Sequence, residues 1–280
     1  MTTNKETKFS CVDCHVQKCE KRPDRSGSRE GFPQFCVTPE ICGKQKEELL
    51  KIYSEAKNAQ IMKAAAEVEF EGYGQLTRVQ EIMEFARKIG ARKIGIATCV
   101  GLIRESQIFA EILRKHDFEV YGMACKVGQI PKTEVGIPAE CEAVGVTMCN
   151  PILQARKLNE AGTELNVVVG LCVGHDSLFY KYAEAPTTTL VTKDRVLGHN
   201  PVAALYTAKT YYSKLLDKSA HNETCDFYAH MALMNERRFV WYFCRYSENI
   251  AQRYSLHKKG NLCARHTSPK CRSSYADTQT

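Results

Sequence analysis

The sequence of 280 residues lacks any apolar run near the roughly 20 residues that a membrane-spanning helix needs. Its first residues, MTTNKETKFSC, contain no apolar core of the kind that marks a secretory signal peptide. These two absences disfavour membrane and secreted classes of protein. We therefore expect a cytoplasmic chain with no membrane partner.

Three glycine motifs of common enzyme folds are also missing. CVGLIRE, which follows the first predicted strand, offers one glycine where a dinucleotide-binding fold has G-x-G-x-x-G. The sequence contains no Walker loop, and GHDSLF is not the G-x-S-x-G turn that carries a nucleophilic serine. The usual dinucleotide-binding, P-loop and serine-hydrolase sites are therefore disfavoured.

The distribution of charge disfavours a nucleic-acid partner. The net charge is +7, but residues 217–280 alone carry ten basic and six acidic residues, so the remainder is nearly balanced. Aromatic residues for stacking on bases are scarce near the N-terminal cysteines, with Phe9 and Phe35 among the few. A nucleic-acid adaptor built from these cysteines and the basic tail is thus a weaker hypothesis than a metal-binding redox protein or a small-molecule enzyme.

The sequence divides into four regions by composition. Residues 1–43 are rich in cysteine, proline and glycine, as expected of a small metal-binding module that ligands organise. Residues 44–72 contain helix formers with amphipathic spacing and predict a helical linker of one or two helices. Residues 73–216 predict an α/β, Rossmann-like domain. Residues 217–280 show no comparable pattern, and we expect an irregular, poorly ordered extension there.

The α/β domain is predicted from alternating helical and strand patterns. A helix begins at the capping pair Thr77 and Gln80 and ends at Gly90. Strands are predicted over KIGIATC, FEVYGMAC, LNVVVGLC and TTTLVTKD, and helices near 104–116, from Pro151, from about 177 and over PVAALYTAKTYYSKLL. This alternation predicts a mainly parallel sheet of about four strands with helices on both faces.

Cysteine, in contrast, is abundant, with 14 residues in the chain. Stable disulfides are rare in a reducing compartment, so clustered cysteines there more often bind metal or do redox work. The stretch CVDCHVQKC places Cys11, Cys14 and Cys19 in a C-x2-C-x4-C pattern. A fourth thiolate from Cys36 or Cys42 would close a tetrahedral site.

A second group of cysteines follows the predicted strands. Cys99, Cys125 and Cys172 each stand where a strand ends, and Cys149 precedes a helix that would stabilise its thiolate. The carboxyl ends of parallel strands line the functional crevice of an open sheet. Any one of these cysteines is more simply a buried apolar residue. Four of them in equivalent places favour a cofactor-binding site, whereas Cys141 has no such placement.

Polar residues predicted at the same edge are candidates for catalysis. His175 and Asp176 begin a helix just beyond Cys172, and the segment KDRVLGHNP contains His199. His175 is a candidate ligand, proton carrier or capping group. Asp176 is a candidate acid–base partner, although a helix cap is at least as good an explanation.

Four segments together resemble one family: CVDCHVQKC, KIGIATCVGL, NPILQARKLNEAGTELNVVVGLCVGHDSLFYKYAEAP and VTKDRVLGHNPVAALY. They are similar to the prokaryotic predicted metal-binding proteins of domain of unknown function 1847, over residues 11 to about 216. The resemblance implies a cysteine-rich N-terminus, an α/β domain and metal binding, with no established reaction. By position it matches four metal ligands, Cys11, Cys14, Cys19 and Cys36. Val37 stands where that family usually has proline, so Cys42 stays an alternative to Cys36.

The leading interpretation is therefore a metal-binding protein with a redox or sulfur-handling role at the carboxyl edge of the sheet. Its cofactor would be an iron–sulfur cluster, with [4Fe–4S] preferred to zinc because zinc sites usually show two close pairs of ligands. The alternative is a small-molecule enzyme that uses Cys172, His175 and Asp176, with a structural zinc in the N-terminal module. These interpretations imply a redox partner or a small molecule as the binding partner. They leave open whether the chain is an enzyme.

Overall fold

A computed structural model of the chain describes residues 9–21 and 28–218. The extension predicted from residue 217 lies outside the described residues except for its first two positions. The chain divides after Pro201 into two units, and the sheet and its cysteines belong to the first. Among the helices of the described residues, none combines the length and apolar character that crossing a membrane requires.

Four strands form one parallel sheet in the order β2-β1-β3-β4. The elements in chain order are α1 (Gly43–Ser54), α2 (Ala56–Gly72), α3 (Arg78–Lys88), β1 (Lys93–Thr98), α4 (Ile103–Lys115), β2 (Glu119–Ala124), α5 (Pro151–Glu160), β3 (Leu165–Val169), α6 (His175–Tyr182), β4 (Thr187–Val191) and α7 (Val202–Tyr206). Strand β3 is buried at every position, as is typical of a strand covered on both faces. The predicted α/β class and its four-stranded parallel sheet are confirmed.

Helices cover both faces of the sheet. On one face, α3 and α4 pack on β1 and β3 through a core that includes Met83, Phe109 and Leu113. On the other face, α5 and α6 pack through Leu158 and Phe179. The apolar spacing of each helix therefore matches the face that it buries.

The chain changes direction in the sheet after β2. From β1 it moves outward to β2 by way of α4, and it then returns past β1 to β3 by way of α5, on the opposite face. The loops that follow β1 and β3 consequently leave in opposite directions. Open α/β sheets bind ligands at such a switch point, beyond the carboxyl ends of the strands.

The helix ends follow the local predictions with one exception. Thr77 and Gln80 form the predicted capping box, in which the Thr77 N–H donates to Gln80 Oε1 at 2.9 Å. The helix predicted over 201–216 is wrong in length, because α7 ends at Tyr206. Beyond it, the Thr207 hydroxyl donates to the carbonyl of Ala203 at 2.6 Å. The Thr207 N–H donates to the same carbonyl at 3.2 Å, and such back-bonding by threonine weakens the helical ladder at the end of α7.

The N-terminal module has no core of its own among its described residues. Residues 9–21 and 28–42 contain no buried side chain. A ring contact between Phe9 and Phe35 and a cation–π contact of Lys18 with Phe32 join its short turns. Apolar burial therefore contributes little to holding this module.

Candidate metal centre

Cys99 is held at the switch point by backbone hydrogen bonds. Its N–H donates to the carbonyl of Val169 at 3.0 Å, which extends the pairing of β1 with β3 by one residue. Its own carbonyl accepts from the N–H of Leu102 at 2.9 Å. The chain turns sharply there, so the thiol stands at the end of β1 and is buried.

Cys125 and Cys149 are brought together by a bond that closes a long loop. The N–H of Asn150 donates to the carbonyl of Cys125 at 2.7 Å, across the irregular segment 126–148. The Asn150 side chain then caps α5 by accepting from the N–H of Leu153 at 3.1 Å. Cys149 therefore stands immediately before the helix and beside the end of β2.

Cys172 and His175 belong to the turn that enters α6. The carbonyl of Cys172 accepts from the N–H groups of His175 and Asp176, at 2.9 and 3.1 Å. The turn begins at Gly170, where φ is +64° and a Cβ atom would approach Leu102 Cδ1 to 2.1 Å. Glycine is required at that position because both the backbone and the space exclude a side chain.

Four thiols and one imidazole form a continuous string at the carboxyl edge of the sheet. Cys99 interacts with Cys172 and Cys125, Cys125 also with Cys149, and Cys149 also with His175. The order of the sulfurs follows the order of the strands, because Cys172 follows β3, Cys99 follows β1 and Cys125 follows β2. We call Cys99, Cys125, Cys149 and Cys172 the thiol array.

The pKa values of neighbouring thiols are shifted in opposite directions along the array. Hydrogen bonds from Cys125 and Cys172 hold the pKa of Cys99 far below its usual range, and bonds with Cys125 and His175 lower the pKa of Cys149 to about 4. The pKa of Cys125 is raised by Cys149, Cys99 and burial, and that of Cys172 by Cys99 and burial. The pKa of His175 is raised, first by its contact with Cys149.

Fixed positive groups and backbone donors surround these sulfurs. The Arg195 guanidinium donates to Cys172 Sγ at 3.0 Å, and the Val100 N–H donates to Cys125 Sγ at 3.3 Å. Lys193 favours the thiolate of Cys99, and Lys126 favours that of Cys149. Thiolates are stabilised by such surroundings, which also suit a negatively charged metal–thiolate centre.

The array does not surround one point. Within residues 9–21 and 28–218, no three His, Cys, Asp or Glu side chains are arranged as ligands of a single metal ion. The five N-terminal cysteines are free thiols, Cys14 and Cys36 half-buried and Cys11, Cys19 and Cys42 exposed. The N–H of Cys14 donates to the carbonyl of Cys11 at 3.2 Å, which is the tight turn that C-x2-C requires.

Among the described residues, no hydrogen bond joins the polar candidates for catalysis to one another. The Asp176 carboxylate accepts from the N–H of Ser177 at 2.8 Å, a local turn contact, and it acts on His175 only through its charge. Nδ1 of His199 accepts from the N–H of Asp194 at 3.1 Å. Burial lowers the pKa of His199, with a further contribution from Lys193. His175 is thus the candidate that contacts the thiol array.

Gln154 is a site residue that the sequence reasoning missed. Its fully buried amide donates to the carbonyls of Thr98 at 3.1 Å and Met123 at 2.7 Å, and so joins the ends of β1 and β2. The sequence does contain a signal for it, because Gln154 occupies the apolar face of α5 together with Ala155 and Leu158. A polar residue on a buried face needs partners, and these partners lie beside Cys99 and Cys125.

Comparison with known proteins identifies the family. A family model described as a protein of unknown function, DUF1847, matches residues 36–190. The chain belongs to this family. Uncharacterized protein MJ0455 of Methanocaldococcus jannaschii is 46% identical over 185 residues, which cover 66% of this chain and 95% of that protein. The residues matched by the family model form a shorter range than the expected 11 to 216. They include the whole thiol array and begin after Cys19.

A solved structure also matches part of the chain. Dph2 from Pyrococcus horikoshii with a 4Fe-4S cluster has a TM-score of 0.27 and 21% sequence identity. The match covers 50% of this chain, and the chain spans only 33% of the length of that Dph2. A similarity at this level supports no conclusion about cofactor or activity.

Proposed function

We propose that this protein is a cytoplasmic metal-binding protein whose thiol array holds an iron–sulfur cluster, preferably [4Fe–4S], for redox or sulfur-handling work. The observation that carries the proposal is the string of four cysteine thiols from four separate segments at the switch point of the sheet. A cluster would supply one-electron chemistry or a Lewis-acidic iron there. The chain's own residues orient the thiols and balance their charge.

The donor set fits such a group. Thiolates are the ligands that both iron–sulfur clusters and zinc select. In addition, Nδ1 of His175 is buried and has no hydrogen-bond partner among the described residues, although the ring contacts Cys149. An unpaired buried nitrogen beside four sulfurs is costly unless something binds it.

The arrangement of the array favours a cluster over zinc. A zinc ion needs its four ligands around one point, whereas a cluster has several irons and accepts thiolates from separate positions. The thiols form a string and do not converge on one point, so they lack the tetrahedral arrangement of a zinc site. Because the thiols contact one another, entry of an inorganic core requires these side chains to rotate apart.

The N-terminal cysteines are proposed to bind a second metal. Cys11, Cys14 and Cys19, with Cys36 or Cys42, lie in a segment without a buried described residue. A segment with so little apolar burial is held together when a metal links its ends, and free thiolates are suitable ligands. The Cys36 carbonyl is already fixed, since Arg29 donates to it at 3.3 Å.

The test is anaerobic purification of the full chain, followed by visible spectroscopy and analysis of iron, acid-labile sulfide and zinc. Cys125→Ser removes the thiol at the middle of the array, and a triple serine variant at Cys11, Cys14 and Cys19 removes the N-terminal set. Cys141→Ser is the matched control, because Cys141 is an exposed free thiol outside both sets.

We expect the wild type and Cys141→Ser to contain iron and sulfide with the absorption of thiolate-bound iron, and Cys125→Ser to lose most of it. The triple variant should retain the iron of the array and lose the second metal. A colourless protein with stoichiometric zinc would overturn the iron–sulfur assignment. Equal metal content in Cys125→Ser and Cys141→Ser would overturn the array as the site.

The contact between Cys149 and His175 favours a second candidate function, a thiol enzyme in which an N-terminal zinc is structural. A thiolate beside an imidazolium is the usual activated nucleophile of cysteine enzymes. The sequence favoured Cys172 for this role, but Cys172 contacts Cys99 and Arg195 and meets His175 only through the backbone. In mildly acidic buffer, iodoacetamide should then alkylate Cys149 faster than Cys141, and His175→Ala should remove the difference. Equal rates would exclude this candidate.

A further inference from the structure

The loop after β4, residues 192–200, is held by its own hydrogen bonds. The Asp194 carboxylate accepts from the N–H groups of Val196 and Leu197, at 2.9 and 2.8 Å. The His199 N–H donates to the Asp194 carbonyl at 2.8 Å, and the Asp194 N–H donates back to His199 Nδ1 at 3.1 Å. These hydrogen bonds fix the conformation of the loop and occupy the carboxylate of Asp194, its one acidic residue. We call residues 192–200 the cationic loop.

His199 has a strained backbone conformation in this loop. Its φ is +66°, a left-handed backbone that residues other than glycine rarely adopt. Because Nδ1 accepts a hydrogen bond, the neutral ring carries its proton on Nε2. Within the described part of the chain, Nε2 has no hydrogen-bond partner. A strained residue with a spare donor is more common at ligand sites than elsewhere.

The cationic loop places two positive side chains over the turn that carries Cys172. Arg195 donates through Nη2 to Cys172 Sγ at 3.0 Å. Lys193 Cε lies 3.6 Å from the position that a Cβ atom on Gly170 would occupy, so its stem crosses the same turn. Within residues 9–21 and 28–218, neither cation forms an ion pair with an acidic side chain.

Arg195 has the chemistry to bind an anion in that place. The guanidinium has five N–H donors in a planar fork that matches two oxygens of a carboxylate or a sulfur oxyanion. One donor is used by Cys172, and Arg195 and the neighbouring Val196 are exposed.

We infer that the cationic loop binds a small oxyanion, with Arg195 and Lys193 as its ligands, in contact with the outermost thiol of the array. The inference rests on the proposed function in one respect, since it makes that anion the substrate of the thiol centre. An anion seated on Arg195 would touch Cys172 without entering the array. The substrate class is therefore a small acid with a carboxylate or sulfur-oxyanion group.

The experiment is a calorimetric titration of the full-length protein, as purified, with sodium sulfate against chloride at matched ionic strength. Arg195→Met removes the fork and keeps the length of the side chain. Arg156→Met, at an exposed arginine on α5, is the matched control. Saturable binding of one sulfate to the wild type and the control is expected, with affinity reduced about 10- to 100-fold in Arg195→Met.

Two outcomes would overturn the anion site: no saturable binding to the wild type, or equal affinity in Arg195→Met and Arg156→Met. Metal analysis of the same wild-type preparation separates this inference from the proposed function. Sulfate binding lost in Arg195→Met supports the anion site even when no metal is found, and that absence counts against the metal centre alone. A loaded centre without sulfate binding counts against the anion site alone.

Discussion

The amide of Gln154 links the array to the interior, and its replacement tests how the thiols are positioned. The side chain is fully buried, and its nitrogen donates to Thr98 and Met123, at the carboxyl ends of β1 and β2. Its oxygen Oε1 has no partner among the described residues. One residue therefore stabilises two strand ends and at the same time buries an unpaired acceptor.

Gln154→Met keeps the length of the side chain and removes both the two hydrogen bonds and the unpaired oxygen. Two lost hydrogen bonds cost about 1–3 kcal/mol together, whereas removal of the unpaired oxygen returns about 1–3 kcal/mol. We therefore expect the free energy of unfolding to change by less than about 1 kcal/mol. The strand ends that carry Cys99 and Cys125 are no longer joined, so alkylation of these two thiols should become faster.

Gln154→Glu is the informative control, because it places a carboxylate oxygen against two backbone carbonyls in a buried position. An unpaired buried charge of this kind should lower the free energy of unfolding by about 3 kcal/mol or more. Urea unfolding at neutral pH measures both variants, and the midpoint should move without a change in slope. Equal losses in the two variants would refute the account of the unpaired oxygen. Wild-type stability in Gln154→Glu would refute the two hydrogen bonds.

Two further predictions concern the two ends of the strands, the amino end at Glu164 and the carboxyl end at Gly170. Backbone N–H groups at the start of β1 lower the pKa of Glu164, so this carboxylate stabilises the fold above its unfolded pKa of about 4.3 and stops doing so as pH falls through the lower folded value. Urea unfolding should show Glu164→Gln about 1 kcal/mol less stable than wild type at neutral pH and equal to it near pH 2, the size being modest because the group is exposed; a constant difference would contradict this. At the other end, Gly170→Ala should cost about 2–4 kcal/mol, because it adds a clash with Leu102 to a positive φ. Gly174→Ala, with a positive φ and open space, should cost only about 1 kcal/mol, and equal losses would show that Leu102 moves aside.

The local pattern of the sequence predicts most of the fold. Apolar runs bounded by glycine and polar residues predict all four strands, and the capping pair at Thr77 predicts the start of α3. The prediction was wrong in length at α7, where the Thr207 hydroxyl shares the Ala203 carbonyl with the backbone N–H of Thr207. Helix and strand periodicity is a local signal, so it survives without knowledge of tertiary contacts.

Contacts that close a long loop cannot be predicted from local periodicity. Cys149 meets Cys125 because the N–H of Asn150 donates to the Cys125 carbonyl across residues 126–148, a segment without regular periodicity. Cys149 precedes a predicted helix in the sequence, but nothing in that pattern selects the strand beside which the helix begins. The partner of His175 is missed for the same reason, because it depends on where α5 and α6 lie.

The order of the strands decides whether the cysteines form one array. With β1 between β2 and β3, the ends that carry Cys125, Cys99 and Cys172 are neighbours about 4.8 Å apart, and their thiols can interact in that order. In the order β1-β2-β3-β4, the same sequence pattern would separate Cys99 from Cys172 by two strand spacings, or about 10 Å. Periodicity is identical in both cases, because it specifies strands and not their neighbours. The interaction between Cys99 and Cys172 is thus a consequence of the reversal after β2, which long-range packing of α4 and α5 on opposite faces determines.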